Sequence, residues 1–549
     1  MQVRRLAAWA ALPVAIAVGL SACGQGGTGS SGSGTVDPNG VARIGIAEPK
    51  HLIPSNTSET SGSQVLAALF SPLVDFDAAN KPFEVAAEKI ETTDNKVWTI
   101  KLKDGFTFHN GEKAVSDNYI DAWNYGAYGP NGQDNNYFFD KIAGYADMNP
   151  ADPDGDGPLT PPTPKAKKLT GLTKVDDSTF KVTLSEPFSE FKSVLGYTAF
   201  YPLPKAAFAS DGVLNKDFEQ APIGQGPFKM KGTWQHDNQV EVARYDAFKG
   251  DKPKIGGAVF KIYQQDTAEY ADLTANNVDV MKSIPTSNLT TAPTDLGDRY
   301  LHSPASTLQL LAFPTFDAAY AKPEVRKAIS MAIDRDEIIK AVFKESQKSA
   351  HSFVSPVVAG YRDNSCGTAC EFKPADAKTA YTAAGGPAKI TITYNADGGH
   401  KDWVDATCNQ LKENLGVDCV GAPEPKFADL LTKVEAHKPV GTFRMGWVMD
   451  YPSMENYLGP LYSTNGSSNY YGYSNKEFDS LVKQGQTAAT ADEAVKKYQA
   501  AEDLLAKDMP VIPLRFGQNN FGHSTKVRNV EIDLFNRVDL NKIEVLTNA

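Results

Sequence analysis

Short apolar runs with a two-residue period recur along this chain, and longer runs with a helical period stand between them. The first is the strand candidate at residues 41–46. At 97–102, Trp98, Ile100 and Leu102 fall on one side and Lys101 on the other, the pattern of a strand with one buried face. Asp104-Gly105 and Asn110-Gly111 mark turns around residues 106–108, where the alternation resumes. From Ser116 the period becomes helical, with Asp117 and Asn118 in the first turn and Ile120, Trp123 and Tyr128 within it. Residues 179–184 repeat the earlier strand pattern through Phe180, Val182 and Leu184. Further strands are expected after Gly224-Gln225-Gly226-Pro227, at Val240 and Val242, and at 259–262, 278–280, 390–394 and 417–420, and the apolar stretch 511–514 leads toward the chain's end. Helical spacing returns at Val65 to Phe70, at 268–273, through Val404, Cys408, Leu411 and Leu415, and at 493–507. The clearest helix is 323–333, where Val325, Ala328, Ile329, Ala332 and Ile333 make one stripe behind Pro323; a stripe of this kind is core. Strands alternate with helices throughout, yet several neighbouring strands read as hairpins, which predicts an α/β protein with mixed sheets.

The 549 residues, 41% hydrophobic, suffice for more than one large core. A net charge of -11 with no clustered basic surface argues against nucleic acid as a partner. The N-terminus does not read as fold. Arg4 and Arg5 precede an apolar run at 6–20, too short for a membrane span. Leu20-Ser21-Ala22-Cys23 follows and resembles the lipobox of bacterial lipoproteins, which implies cleavage of the signal peptide 1–22 and a diacylglycerol on the Cys23 sulfur. Losing Arg4 and Arg5 with that peptide brings the side-chain charge from -11 to -13. Residues 24–34 are almost all Gly, Ser, Gln and Thr, so 23–40 reads as lipid anchor and flexible tether. The remainder is expected to be extracytoplasmic, held to the bacterial cell membrane by its lipid alone.

Four more cysteines, Cys366, Cys370, Cys408 and Cys419, allow three disulfide connectivities in an exported chain. The local pairs Cys366–Cys370 and Cys408–Cys419 are favoured, with zinc as the rival for the first spacing. Between 149 and 164, Asp152, Asp154 and Asp156 precede Gly157 as at the start of a calcium loop, a weak candidate because Thr163 stands where the bidentate acid belongs; the alternative is an acidic surface excursion. No Gly-x-Ser-x-Gly elbow and no His-Glu-x-x-His helix occurs, and the eight histidines are scattered. No enzyme activity and no cofactor are expected.

The stretch from Gly441 to Pro452 brings Arg444, Trp447, Asp450 and Tyr451 together, closed by a proline that cannot continue a sheet ladder. An aromatic surface with one cation and one anion suits a ligand carrying both charges. The alternative is an exterior salt bridge beside a core tryptophan.

Five stretches in order resemble one family: Trp98 through Gly111, Gly224-Gln225-Gly226-Pro227-Phe228, Val325 through Arg335, Gly446 through Pro452, and Tyr471 through Asp479. As a set they are similar to the family 5 extracellular solute-binding proteins of ABC importers, the peptide-binding group. The resemblance implies a periplasmic-binding-protein-like fold of two α/β lobes closing about a hinge: lobe I at 41–284 with a subdomain at about 66–169, lobe II at 285–505, and a return to lobe I at 506–549. It implies that Asp450 holds a peptide's α-ammonium, that Arg444 lies near the ligand, and that Trp447 and Tyr451 wall that end. The stretch from Ser58 to Ser61, with Glu59 and Thr60, would run against the bound peptide. Implied partners are a peptide and ABC permease subunits, with the protein a monomer. The alternatives are a peptide-sensing surface receptor and a binder of a sugar or metal chelate. The resemblance assigns no residue to the ligand's C-terminus.

Overall fold

The computed structural model describes residues 34–547 apart from 78–79, 151–162, 211, 397–398, 426, 439, 465 and 467. Residues 1–22, Cys23 and the aspartates Asp152, Asp154 and Asp156 lie outside the described residues. Among the described residues, no group of three or more His, Cys, Asp or Glu side chains is placed to hold a metal, and no helix is long and apolar enough to cross a membrane.

One mixed sheet of eleven strands runs through the protein. Its order is Phe228–Met230, Gln239–Arg244, Gly257–Ile262, Val41–Ile46, Val280–Met281, Val511–His523, Tyr300–Ala312, Thr442–Trp447, Lys389–Asn395 and Asp418–Glu424, with Lys348–Ser349 added against Val511–His523. Hairpins supply the antiparallel pairs at the first edge, and helical crossovers supply parallel pairs such as Lys389–Asn395 with Asp418–Glu424. Apolar side chains gather in two large clusters. One draws on residues from Ala42 to Val280 and takes back Phe521 to Ile543; the other runs from Leu308 to Phe516. The fold is therefore two-lobed.

A separate four-stranded antiparallel sheet, in the order Ala87–Thr92, Val97–Leu102, Thr179–Thr183, Leu172–Lys174, belongs to the first core. The period-two pattern explains its register: Trp98 stands opposite Val182 and Ile100 opposite Phe180. Helix Ser116–Ala127 covers it, with Tyr119 and Trp123 against the Phe180 ring at 5.7 and 5.5 Å. Residues 106–108 form no strand; only an isolated bridge joins Thr107 to Lys113, because the second turn follows within three residues.

Tyr300–Ala312 and Val511–His523, thirteen residues each, are the two strands that reach from one core to the other. Their ladder is regular from Tyr300 opposite Gly522 to Pro304 opposite Gln518 and resumes at Leu308 opposite Phe516. Between these points Ala305, Ser306 and Thr307 bulge outward against the single residue Gly517. A Cβ on Gly517 would meet the Thr307 Cβ at 2.9 Å and the Ala305 Cβ at 3.3 Å, so the bulge closes only over glycine. The Ala305 carbonyl accepts from Ser355 Oγ at 3.1 Å and the Ser306 carbonyl from the Tyr457 hydroxyl. Away from this crossing the lobes also touch through main chain: Ser189 N–H donates to the Gln486 carbonyl at 2.7 Å, Ser189 Oγ to Gly485 at 3.2 Å, and Asn95 Nδ2 to Ala488 at 2.7 Å.

Both local cysteine pairs are bonded, Cys366 to Cys370 and Cys408 to Cys419, with Cα separations of 5.7 and 5.0 Å. The second staples helix Lys401–Leu415 to strand Asp418–Glu424 across the left-handed turn at Gly416. Replacing Cys408 and Cys419 together by serine is expected to cost about 3 kcal/mol, the loop-closure value for so short a ring. Thermal unfolding of the double variant should show a Tm lower by several degrees, and an unchanged curve would mean that the staple constrains nothing.

Candidate functional site

A cavity of about 370 Å³ lies between the two cores. The bulge residues Ala305, Ser306 and Thr307 line it together with Asn519 of the partner strand. Its first-lobe wall includes Ser58, Glu59 and Thr60 at the start of helix Thr60–Leu69, and Tyr137 and Tyr197. Val448, Met449 and Asp450 close the opposite side.

Asp450 leaves strand Thr442–Trp447 three residues past its end and is held by one buried side chain, Asn456 of helix Met454–Tyr462. The Asn456 amide oxygen accepts from the Asp450 N–H at 2.8 Å and from Trp447 Nε1 at 3.1 Å, while its Nδ2 donates to Asp450 Oδ2 at 3.1 Å. Ser453 caps that helix by accepting from the Glu455 N–H, which fixes where Asn456 stands. The other Asp450 oxygen has no donor among the described residues, and no cation pairs with the carboxylate. Burial raises its pKa to about 6, the Asn456 bond opposes the rise, and the Glu455 charge adds to it. Burial first, and the Asp450 charge second, push the hydroxyls of Tyr137 and Tyr197 above their ordinary range. An unpaired carboxylate facing aromatic walls is a receptor for a cation.

The remaining residues singled out in the sequence are dispersed. Glu59 lines the cavity, but its carboxylate also caps helix Thr60–Leu69, accepting from the N–H groups of Ser61 at 2.6 Å and Gly62 at 2.8 Å. Thr60 is exposed on the same wall. Tyr451 does not wall the cavity. It turns into the first core, where its hydroxyl donates to the Glu455 carboxylate and its ring meets Phe188 edge-on at 6.4 Å. Arg444 and Trp447 are three residues apart on one strand, so their side chains leave on opposite faces. The Trp447 ring packs on the second core and reaches Asn456. Arg444 lies, together with Trp447, in the wall of a second cavity, of about 730 Å³, that shares Thr307 and Val448 with the first. There its guanidinium donates to Gln309 Oε1 at 3.3 Å and Asn395 Oδ1 at 3.5 Å and lies 5.5 Å from the Phe427 ring centre. Gly446 makes room for this: a Cβ there would meet the Gln309 amide at 2.9 Å.

Sequence reading missed Asn456, the 305–307 bulge, Tyr137, Tyr197 and Arg537. Arg537 carries a charge on the first cavity's wall, but Asp533 neutralises it at 2.7 Å. Of these only Asn456 had a local signal, an asparagine six residues after Asp450 behind a Ser453 helix cap. The others depend on contacts made by distant parts of the chain.

Residues 82–469, more than half of the chain, match the profile of the bacterial extracellular solute-binding proteins, family 5 middle. The chain is 28% identical over 535 residues to the oligopeptide-binding protein OppA of Bacillus subtilis (strain 168), covering 93% of this chain and 94% of that protein. It is 27% identical over 477 residues to the periplasmic murein peptide-binding protein MppA of Escherichia coli (strain K12), covering 85% and 86%. Among solved structures, the unliganded open form of the murein tripeptide-binding protein MppA superposes with a TM-score of 0.80 at 23% identity, covering 94% of this chain and 99% of that one, and so shares the fold. By name the relatives are binding proteins, and the matched profile is one of solute-binding proteins. The two-lobed fold, the cavity at its crossing strands and the length of the match lead to one assignment: the chain belongs to family 5 of the bacterial extracellular solute-binding proteins.

Proposed function

We propose that this solute-binding protein captures peptides by their free N-terminus and main chain and delivers them to an ABC importer. The observation that carries the reading is Asp450: a carboxylate oriented by Asn456, facing an aromatic cavity between two lobes, with no cation among the described residues paired with it. A peptide α-ammonium supplies that cation. The 305–307 bulge and Val448–Asp450 line the cavity, and main-chain groups of the bulge that the ladder leaves out can pair with an extended peptide, a mode that accepts many side chains. The relatives' names, oligopeptide-binding and murein peptide-binding, agree with this ligand class. Closing of the lobes over the peptide then presents an occupied form to the permease. The reading extends to the N-terminus: residues 1–22 are removed and Cys23 carries the lipid that keeps the protein at the membrane.

Asp450→Asn is expected to weaken a free-N-terminal peptide by about 2–5 kcal/mol, because the ammonium then lies buried without its partner. Binding of the N-acetylated form of the same peptide should hardly change. Calorimetry on both peptides with both proteins makes the comparison. Equal losses would place Asp450 in the fold, and an unchanged affinity for the free peptide would remove it from recognition.

The raised pKa adds a pH signature. Binding an ammonium requires the carboxylate, so protons compete with the peptide once the pH falls below about 6. Affinity for the free peptide should drop by roughly tenfold per pH unit below that point in the wild type. Asp450→Asn should show no such slope, and a slope that survives the substitution assigns the titration to another group.

Cys23→Ala is expected to abolish lipid labelling and release the protein from the membrane fraction. A variant as firmly bound and labelled as the wild type would refute the anchor.

A further inference from the structure

Helix Ser116–Ala127 has two occupied faces. One packs on the four-stranded sheet, with Tyr119 and Trp123 against the Phe180 ring. The other carries Asn118, Asp121, Asn124 and Tyr125 at helical spacing, and Tyr128 follows just past the helix end. These residues line a cavity of about 500 Å³. Lys167 and Lys168, then Lys205, and then the hairpin of strands Phe208–Ser210 and Val213–Leu214 close its other sides. It shares no lining residue with the two cavities between the lobes.

The fold leaves an unusual number of polar groups uncommitted here. Asn118 shows the ordinary case: its Oδ1 accepts from the Val115 N–H at 2.8 Å and its Nδ2 donates to the Leu203 carbonyl at 2.9 Å. Asn124, six residues on, is only 8% exposed. Its Oδ1 accepts from the Leu169 N–H at 2.7 Å, which fixes the amide's orientation, yet its Nδ2 donates to nothing among the described residues. The hydroxyls of Tyr125 and Tyr128 have no partner among those residues either. Burial first, and the Glu219 charge second, raise the Tyr125 pKa, so that hydroxyl stays a donor. The ammonium groups of Lys167, Lys168 and Lys205 make no ion pair among the described residues, whereas nearby Lys174 pairs with Asp117 at 2.8 Å and Asp177 at 2.7 Å. Three cations against one acid, Asp121, make the wall net positive. The Tyr125 and Phe208 rings meet edge-on at 6.0 Å and form an apolar corner beside these groups.

We propose that this cavity binds an acidic sugar, at a site separate from the peptide cleft. A pyranose ring offers a C–H face to the aromatic corner, and its hydroxyl oxygens accept from the Asn124 amide and the tyrosine hydroxyls. Its carboxylate meets the lysines. A simple anion would use the lysines and leave the rings and the buried amide idle. An aromatic acid would fill the corner and leave the amide and the hydroxyls idle. A buried donor without an acceptor is costly, and the ligand's hydroxyls remove that cost. Nothing in this assignment depends on what fills the cleft between the lobes.

The test uses the full chain, stripped of ligand, as wild type, as the double variant Lys167→Gln with Lys168→Gln, and as Asn124→Asp. Both lysines are exposed, and aspartate keeps the acceptor for the Leu169 N–H, so each variant should unfold near the wild-type Tm. Calorimetry titrates all three proteins with digalacturonic acid, its dimethyl ester, benzoate and sulfate. The wild type should prefer the acid to the ester by roughly tenfold, the worth of two or three exposed charge pairs. The double variant should bind the acid no better than the ester. Asn124→Asp should weaken the acid by roughly tenfold, because a donor is lost and a like charge added. A peptide that the wild type binds should bind both variants equally well, which keeps the two sites apart; if the wild type binds no peptide, the peptide reading fails while the sugar titrations still decide this site. No digalacturonate binding at millimolar concentration, or binding that ignores both variants, overturns the proposal. Sulfate as tight as the sugar acid reduces the site to an anion patch, and benzoate as tight reduces it to an apolar corner; either result overturns the sugar assignment.

Discussion

Everything in this protein hangs on one pairing, Tyr300–Ala312 against Val511–His523. A sheet strand is stiff across its width but bends and twists along its length, above all at a bulge. By running two long strands through both cores, the chain joins its lobes with backbone hydrogen bonds while leaving Ala305, Ser306 and Thr307 out of the ladder at the midpoint. The same three residues are the floor of the cavity. Linkage and binding surface are thus one piece of backbone, and Gly517 is the residue whose missing side chain lets them coincide.

The electrostatics of the cleft follow from what the fold leaves unpaired. Several charges of the fold are matched: Arg43 with Asp279, Arg537 with Asp533, Arg362 with Glu502. Asp450 has no such partner among the described residues. It is held from behind by an uncharged amide, so orientation is settled without cancelling the charge. An amide behind a carboxylate orients it with little effect on its appetite for a cation. A second cation there would have quenched it.

Much of the fold was legible in the sequence because period and burial agreed. Val97–Leu102, Thr179–Thr183, Lys401–Leu415 and Pro323–Met331 each have one apolar side and lie where that side is covered. The crossing pair was not legible. Tyr300–Ala312 carries Pro304 and a polar run of Ser and Thr in its middle, which reads as loop, and only the first four residues of Val511–His523 had a strand's composition. Those features are what a cavity floor requires, so the local pattern failed where the function lies. At the site, Asp450 was visible because its motif is local. That Arg444 and Trp447 leave their strand on opposite faces was foreseeable from strand geometry alone, whereas the inward turn of Tyr451 depends on Phe188 meeting it from a distant part of the chain.

Beside the Lys483–Glu186 ion pair, three hydrogen bonds that join the lobes away from the crossing end on carbonyl oxygens of Gly485, Gln486 and Ala488. A carbonyl is the same at every residue. On that side of the contact the accepting carbonyls do not depend on residue identity, except that Gly485 has no room for a Cβ, which would run into the Tyr498 ring; from the other side Ser189 contributes a main-chain N–H, but also its hydroxyl, and Asn95 its amide. The accepting half of the joint therefore leaves little record in the sequence, whereas the donating half is recorded at Asn95 and Ser189. Sequences can drift on the accepting side and still close in the same register, and a comparison of residues would find the joint only from its donors, Asn95 and Ser189.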